Sequence, residues 1–240
     1  TEDYEKLSRN YSDQVSSVKL TLPVAEFYCD FYSNPVNFTP FLLKNVSTAT
    51  KNEFLPVISP DNELLYFTRE YMYKAKGDVM TQLVQDFTLS KRVNANDDFS
   101  SGKVMDAPFN VGPKYGGATI SLDNKELYIC ACNKNGGYNN CDIFVSYLEF
   151  IEKGEITDTV VLRWSDLKNL GPNINGPQTW EAQPSLSADG KTLYFASARP
   201  GGKGGVDIYF SDRQADGSWG KAQNIGFPIN TPESDKSPFI

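Results

Sequence analysis

A chain of 240 residues carries 23 Lys plus Arg against 30 Asp plus Glu, a formal charge of −7, with 40% hydrophobic residues. That balance lacks the basic footprint of a nucleic-acid backbone binder or of a protein held on an anionic membrane surface. No stretch approaches the roughly 18 consecutive apolar residues of a membrane span, and a histidine count of zero excludes Ser-His-Asp and Cys-His catalysis and His-ligated metal within the chain.

In chain order, Tyr4, Leu7, Tyr11 and Val15 come first, recurring at helix-like intervals among charges. Residues 1–20 are therefore expected to be a leader or the last helix of a preceding helical module. From residue 21 to 240 the expectation is β. Three segments align: Pro56–Thr68, Ala118–Cys130 and Pro184–Ala196. Each holds Ser two before an Asp (Asp61, Asp123, Asp189) and Tyr five after it (Tyr66, Tyr128, Tyr194), with the Asp residues 62 and 66 positions apart. Asp-Asn or Asp-Gly followed by a short aromatic and aliphatic run reads as a tight turn feeding a strong strand.

A second element follows. Asp142-Ile-Phe-Val-Ser146 matches Asp207-Ile-Tyr-Phe-Ser211, and Gly77-Asp78-Val79 is taken as a degenerate copy. The third element begins with Trp164 or Trp219. Five residues later comes Asn169 or Asn224, and the linker closes at Asn175 or Asn230. Lys44-Asn45-Val46 resembles an earlier copy of that linker, and Lys236–Ile240 resembles the opening of another repeat. Four strands in roughly 55–65 residues is the content of one propeller blade. The fold class expected is all-β, a β-propeller of four-stranded antiparallel blades, about three of them complete. One such sheet has two apolar faces and buries them only against neighbouring blades.

Candidate chemistry is sparse. Three equivalent turn carboxylates do not build one active site, and Asp opening a turn bonds the turn backbone. Calcium needs six to eight oxygens from a compact loop, and no D-x-D-x-D-G run occurs. Gly201–Gly205 lacks the Ser or Thr after Lys203 and the helix of a phosphate loop. The cysteines Cys29, Cys130, Cys132 and Cys141 do not have the spacing of a four-cysteine zinc site. No metal, cofactor or catalytic residue is assigned, and an enzyme is not expected. Cys132 and Cys141 flank a hairpin loop; a disulfide between them and a pair of buried thiols both fit. Hairpin loops line one face of a propeller, which makes Tyr138, Arg199 and Lys203 the candidate contacts to a ligand or partner. Trp164 and Trp219 are expected to pack between blades.

Pro184–Ser197 and Val206–Ser211 resemble the TolB-type, WD40-like propeller repeat. The segment from Trp219 to Pro238 is similar to the version found in envelope proteins that carry an OmpA-like peptidoglycan-binding domain, a group that includes a component of the type IX secretion system. The resemblance implies a non-catalytic scaffold, periplasmic and outer-membrane associated, and it implies that a helical module ending in residues 1–20 is tetratricopeptide-like. Its partners would be envelope proteins, and peptidoglycan would be held by a domain outside this chain. An access-gating propeller of a peptidase and a glycan- or peptide-binding propeller are the alternatives.

Overall fold

The computed structural model describes residues 39–240 apart from 78, 113, 139 and 153–159, together with scattered positions between 22 and 34. It divides into two units, Thr1–Leu42 and Leu43–Ile240. Residues 1–20, with their expected helix, lie outside the described residues. In the first unit Leu22, Ala25, Glu26, Cys29, Asp30 and Ser33 are helical, and the Asn34 N–H closes on the Asp30 carbonyl at 3.0 Å. These residues lie within the stretch expected to be propeller, and among the described residues the strands all lie in the second unit. No helix is long and apolar enough to cross a membrane among the described residues.

Among the described residues the strands of the second unit form a nine-stranded and a four-stranded sheet, whose antiparallel pairings group them into three four-stranded blades. The first runs β1 (Asn52–Ile58), β2 (Leu64–Tyr73), β3 (Gln82–Lys91) and β4 (Lys103–Val104). The second runs β5 (Lys114–Ile120), β6 (Glu126–Cys132), β7 (Cys141–Glu152) and β9 (Lys168–Asn169); β8 (Val160–Trp164) extends β7 as a hairpin beyond the repeat. The third runs β10 (Glu181–Leu186), β11 (Thr192–Ser197), β12 (Asp207–Asp212) and β13 (Gln223–Asn224). One parallel pairing, Gln85 with Lys114, joins the first two blades, and the ring does not close among the described residues.

Period-two alternation sends successive side chains of one strand into different blade interfaces. From β6, Leu127, Ile129 and Ala131 enter a core with Tyr66, Phe87, Phe109 and Phe144. Tyr128, between them in sequence, enters the next core with Ile143, Ile174, Leu193, Phe195 and Trp219. Trp164 packs edge-on against Phe109 and Trp219 edge-on against Tyr128, at centroid distances of 6.2 and 5.9 Å. Such pairs add about 1 kcal/mol each beyond the area they bury.

The polar repeat residues hold the blades' corners. Ser59, Ser121 and Ser187 each donate to the following Asp and accept the backbone N–H of Leu64, Glu126 or Thr192. Asn62, Asn124 and Gly190 take the positive φ of the turn (64°, 59° and 69°). At the same end of the blade, where the register sets them opposite Leu65, Leu127 and Leu193, Ser90, Ser146 and Ser211 donate from the third strand to the carbonyls of Ser100, Ser165 and Gly220 beside the fourth.

The first blade corrects the sequence reading. Asp78 lies outside the described residues, and the first copy of the third-strand element is Asp86–Ser90 in β3, not Gly77–Val79. The first fourth-strand element is Phe99, Lys103-Val104 and Asn110, in which Phe stands for Trp and Val for Asn. Asn110 bonds Phe87 N–H and C=O at 2.7 and 2.8 Å, as Asn175 bonds Ile143 at 2.8 and 2.9 Å and Asn230 bonds Ile208 at 2.8 and 2.9 Å. Lys44-Asn45-Val46 lies in a linker, but it corresponds to Pro172–Ile174 and not to Lys168–Leu170, since Asn45 Nδ2 bonds the Phe99 carbonyl as Asn173 Nδ2 bonds that of Trp219. Val46 and Ser47 donate to the Leu43 carbonyl, as Ile174 and Asn175 donate to that of Gly171.

Candidate functional site

The first strand of each blade (β1, β5 and β10, the inner strands) carries one extra residue, and the register with its neighbour shifts between Phe54 and Val57, Gly116 and Ala118, and Ala182 and Ser185. The bulged residue is left-handed every time: Leu55 (φ 52°), Gly117 (62°) and Gln183 (55°). Ser237 (56°) repeats the conformation at the chain's last segment. Leu, Gln and Ser adopt it at a steric cost, and strained backbone that persists is a pointer to a functional site. At Gly117 the absence of Cβ also matters, since one would stand 3.3 Å from the Gln183 backbone.

Hydroxyls staple these segments together. Thr119 accepts the Leu186 N–H at 3.2 Å, and Ser185, at the same repeat position, accepts the Ile240 N–H at 3.2 Å. The Gln183 side-chain oxygen accepts the Ser237 N–H at 2.9 Å. Lys236–Ile240 thus takes the place of a fourth inner strand.

Between the four segments lies a recess of about 330 Å³, walled by Val57, Ile58, Ala118, Ile120, Pro184 and Phe239 among others. Ile58 is 47% exposed and Phe239 90%. A second cavity of about 230 Å³ adjoins it at Leu55 and Gln183 and is lined by Cys130, Cys132, Cys141, Lys114 and Trp180. Cys132 and Cys141, directly opposite in the β6–β7 register, are bonded with S–S 2.00 Å; Cys29 and Cys130 are free. Burial pushes the Cys130 thiol up to about 12. Titration of thiols in denaturant should count two, rising to four after reduction; four before reduction would remove the bridge.

The structure separates the three candidate contacts. Lys203 is exposed in the β11–β12 loop, with its ammonium 5.7 Å from the Phe227 ring. That loop is pinned, because a Cβ on Gly204 would collide with the Glu233 carbonyl and the Asp235 N–H bonds the Val206 carbonyl at 2.8 Å. Tyr138 is half-buried in the β6–β7 loop, where its N–H donates to Asp142 at 2.6 Å. Arg199 is occupied: its guanidinium donates to Ser197 and to the Ile174 carbonyl and stands 3.4 Å from the fully buried Glu181.

Carboxylates near these loops serve the backbone. Burial opposes the charge of Asp207, but the N–H groups of Lys203 and Gly204 and the Asn224 amide outweigh it and hold the carboxyl low. At Asp142 burial wins over the Tyr138 N–H and raises the carboxyl. The difference is local. Asn224 reaches Asp207 at 2.8 Å, whereas Asp142 Oδ1 and Asn169 Nδ2, at the same repeat positions, are buried without partners among the described residues. The bulge residues were missed by sequence reasoning; the proline following Leu55, Gln183 and Ser237 was their one available signal.

No protein-family model and no curated protein matches the chain. Similar solved structures include a puromycin-hydrolyzing peptidase of Mycobacterium tuberculosis, 16% identical with TM-score 0.43 over 74% of this chain and 24% of that one. TolB from Acinetobacter baumannii is 17% identical with TM-score 0.38, over 75% of this chain and 34% of that one. The chain spans about a quarter to a third of the length of these two structures.

Proposed function

We propose that this chain is a non-catalytic, protein-binding propeller of an envelope protein, periplasmic and outer-membrane associated. The observation that carries the reading is the axial recess. Its walls are apolar and partly exposed, and its backbone is held rigid by bulges and hydroxyl staples. A rigid, pre-formed apolar concavity loses little entropy on binding. The Cys132–Cys141 bridge supports an oxidising compartment. In the finer form of the proposal the parent resembles PorE of the type IX secretion system and is tethered to peptidoglycan by an OmpA-like domain outside this chain. Deleting residues 43–240 from the full-length parent while keeping its tether should abolish co-purification of envelope partners after crosslinking. Unchanged recovery of those partners would defeat the proposal.

A further inference from the structure

We propose that the three cysteines at the axial cavity form a redox-gated site for Cu(I): closed while Cys132 and Cys141 are bridged, and a three-thiolate ligand set once the bridge is reduced.

The placement follows from strand geometry. Cys130 and Cys132 are two residues apart on β6 and project to one face. Cys141 faces Cys132 across the β6–β7 pairing. The three sulfurs all lie within 4.8 Å of one another. An ion at the centre of three sulfurs, with metal–sulfur bonds of about 2.3 Å, needs sulfur–sulfur edges of about 4 Å. Small side-chain adjustments therefore suffice, without moving the strands. Cys130 is buried and its S–H donates to the Glu181 carbonyl at 3.5 Å, while Cys132 and Cys141 are half-buried and open to a reductant. All three line the 230 Å³ cavity, which gives an ion a way in.

The donor set selects the metal. Thiolates alone favour a soft ion. Tetrahedral zinc wants a fourth protein ligand, and the cluster contains no fourth Cys or carboxylate among the described residues; the chain has no histidine. Cu(I) accepts three sulfurs. Lys114 lines the same cavity and offsets part of the negative charge of three thiolates around a monovalent ion.

The chemistry balances as follows. A dithiol reductant gives two electrons and two protons to the Cys132–Cys141 bond, breaking S–S to leave two thiols, and is itself oxidised to a disulfide. Cu(I) then forms three Cu–S bonds as three thiol protons leave to solvent. No change in copper oxidation state is involved.

The test uses the full chain carrying Cys29→Ser, so that the exposed cysteine does not contribute. The protein is reduced with dithiothreitol, desalted without oxygen and titrated with Cu(I) against bicinchoninate. One equivalent should bind to the reduced chain and none to the oxidised chain. Cys130→Ala in the same background should weaken binding about 100-fold or more, since even an outer-sphere change costs up to about that much. The copper-loaded protein should resist re-forming its bridge in air. Equal affinity in Cys130→Ala would overturn the proposal, because two thiols would then suffice. So would equal binding by the oxidised chain, one-to-one binding of Zn(II) in place of Cu(I), or loss of the β circular-dichroism signal on reduction.

Discussion

Asn175→Ala should lower the stability of the β unit, Leu43–Ile240, by about 3 kcal/mol. The side chain is fully buried and stands in for a strand edge: Oδ1 accepts the Ile143 N–H at 2.8 Å, and Nδ2 donates to the Ile143 carbonyl and to Asn169, both at 2.9 Å. Ile143 is itself fully buried, so water cannot replace the lost partners. The stranded Ile143 N–H, at about 1–3 kcal/mol, and the lost amide bonds to Asn169 and to the Ile143 carbonyl, which keeps the Leu170 N–H at 3.2 Å, set the size of the effect. In a unit of this length that is a fall in Tm of roughly 6–12 °C. Asn175→Asp should do no better at neutral pH, since it keeps an acceptor, loses the donors and buries a charge. Asn45→Ala, at an exposed linker position with one bond to the Phe99 carbonyl, should stay within about 0.5 kcal/mol. Thermal melts of the three variants check this. A loss under about 1 kcal/mol for Asn175→Ala would mean that the buried Ile174 side chain, not the amide, holds the linker.

The turn-and-strand repeat was legible because its residues act locally. Ser, Asp and Asn or Gly build the turn out of their own side chains and dihedrals, so the chemistry repeats with the geometry. The third strand of the first blade was misplaced because Phe87-Thr88-Leu89 keeps the alternation but not the residue types of its counterparts. What β3 conserves is the buried Ser90 and the backbone of Phe87 that Asn110 grips. The first linker was hidden in the same way. Phe99 fills an apolar position as Trp does, and Val104 needs only to present backbone to β3. The inner-strand bulges share a dihedral and no side chain, and the one residue signal beside them, a following proline, marks Leu55, Gln183 and Ser237 but not Gly117. The hairpin placement of Cys132 and Cys141 was legible from their spacing, but the choice of a bridge over two thiols, and the approach of Cys130 to both sulfurs, needed the structure.

Arg199→Ala should cost about 3 kcal/mol, while Lys203→Ala should leave the melt within about 0.5 kcal/mol of the parent. Both residues were expected at the loop face, and the structure gives them different tasks. Glu181 is fully buried, and its carboxylate accepts the Gly176 N–H at 2.9 Å and the hydroxyls of Thr179 and Ser197 at 2.8 and 2.7 Å. Arg199 is the cation beside it, and its guanidinium also lies 4.8 Å from the centre of the Tyr209 ring. Removing it leaves a buried charge held by neutral donors alone, which places the cost near the lower end of the range for broken buried pairs. Arg199→Lys should recover part of the loss, because it restores the charge but not the fork that reaches Ser197 and Ile174 together. Arg69 gives an independent reason to read the arrangement as structural: it bonds Glu53 at 3.0 Å and the Val46 carbonyl at 3.0 Å, tying another linker to another blade. Partner recruitment measured on the same variants separates the roles. A silent melt for Arg199→Ala with lost recruitment would return Arg199 to the binding face. The expected reverse, a lowered melt for Arg199→Ala and lost recruitment only for Lys203→Ala or Tyr138→Ala, assigns contact to the loop tips and leaves Arg199 as the brace behind them.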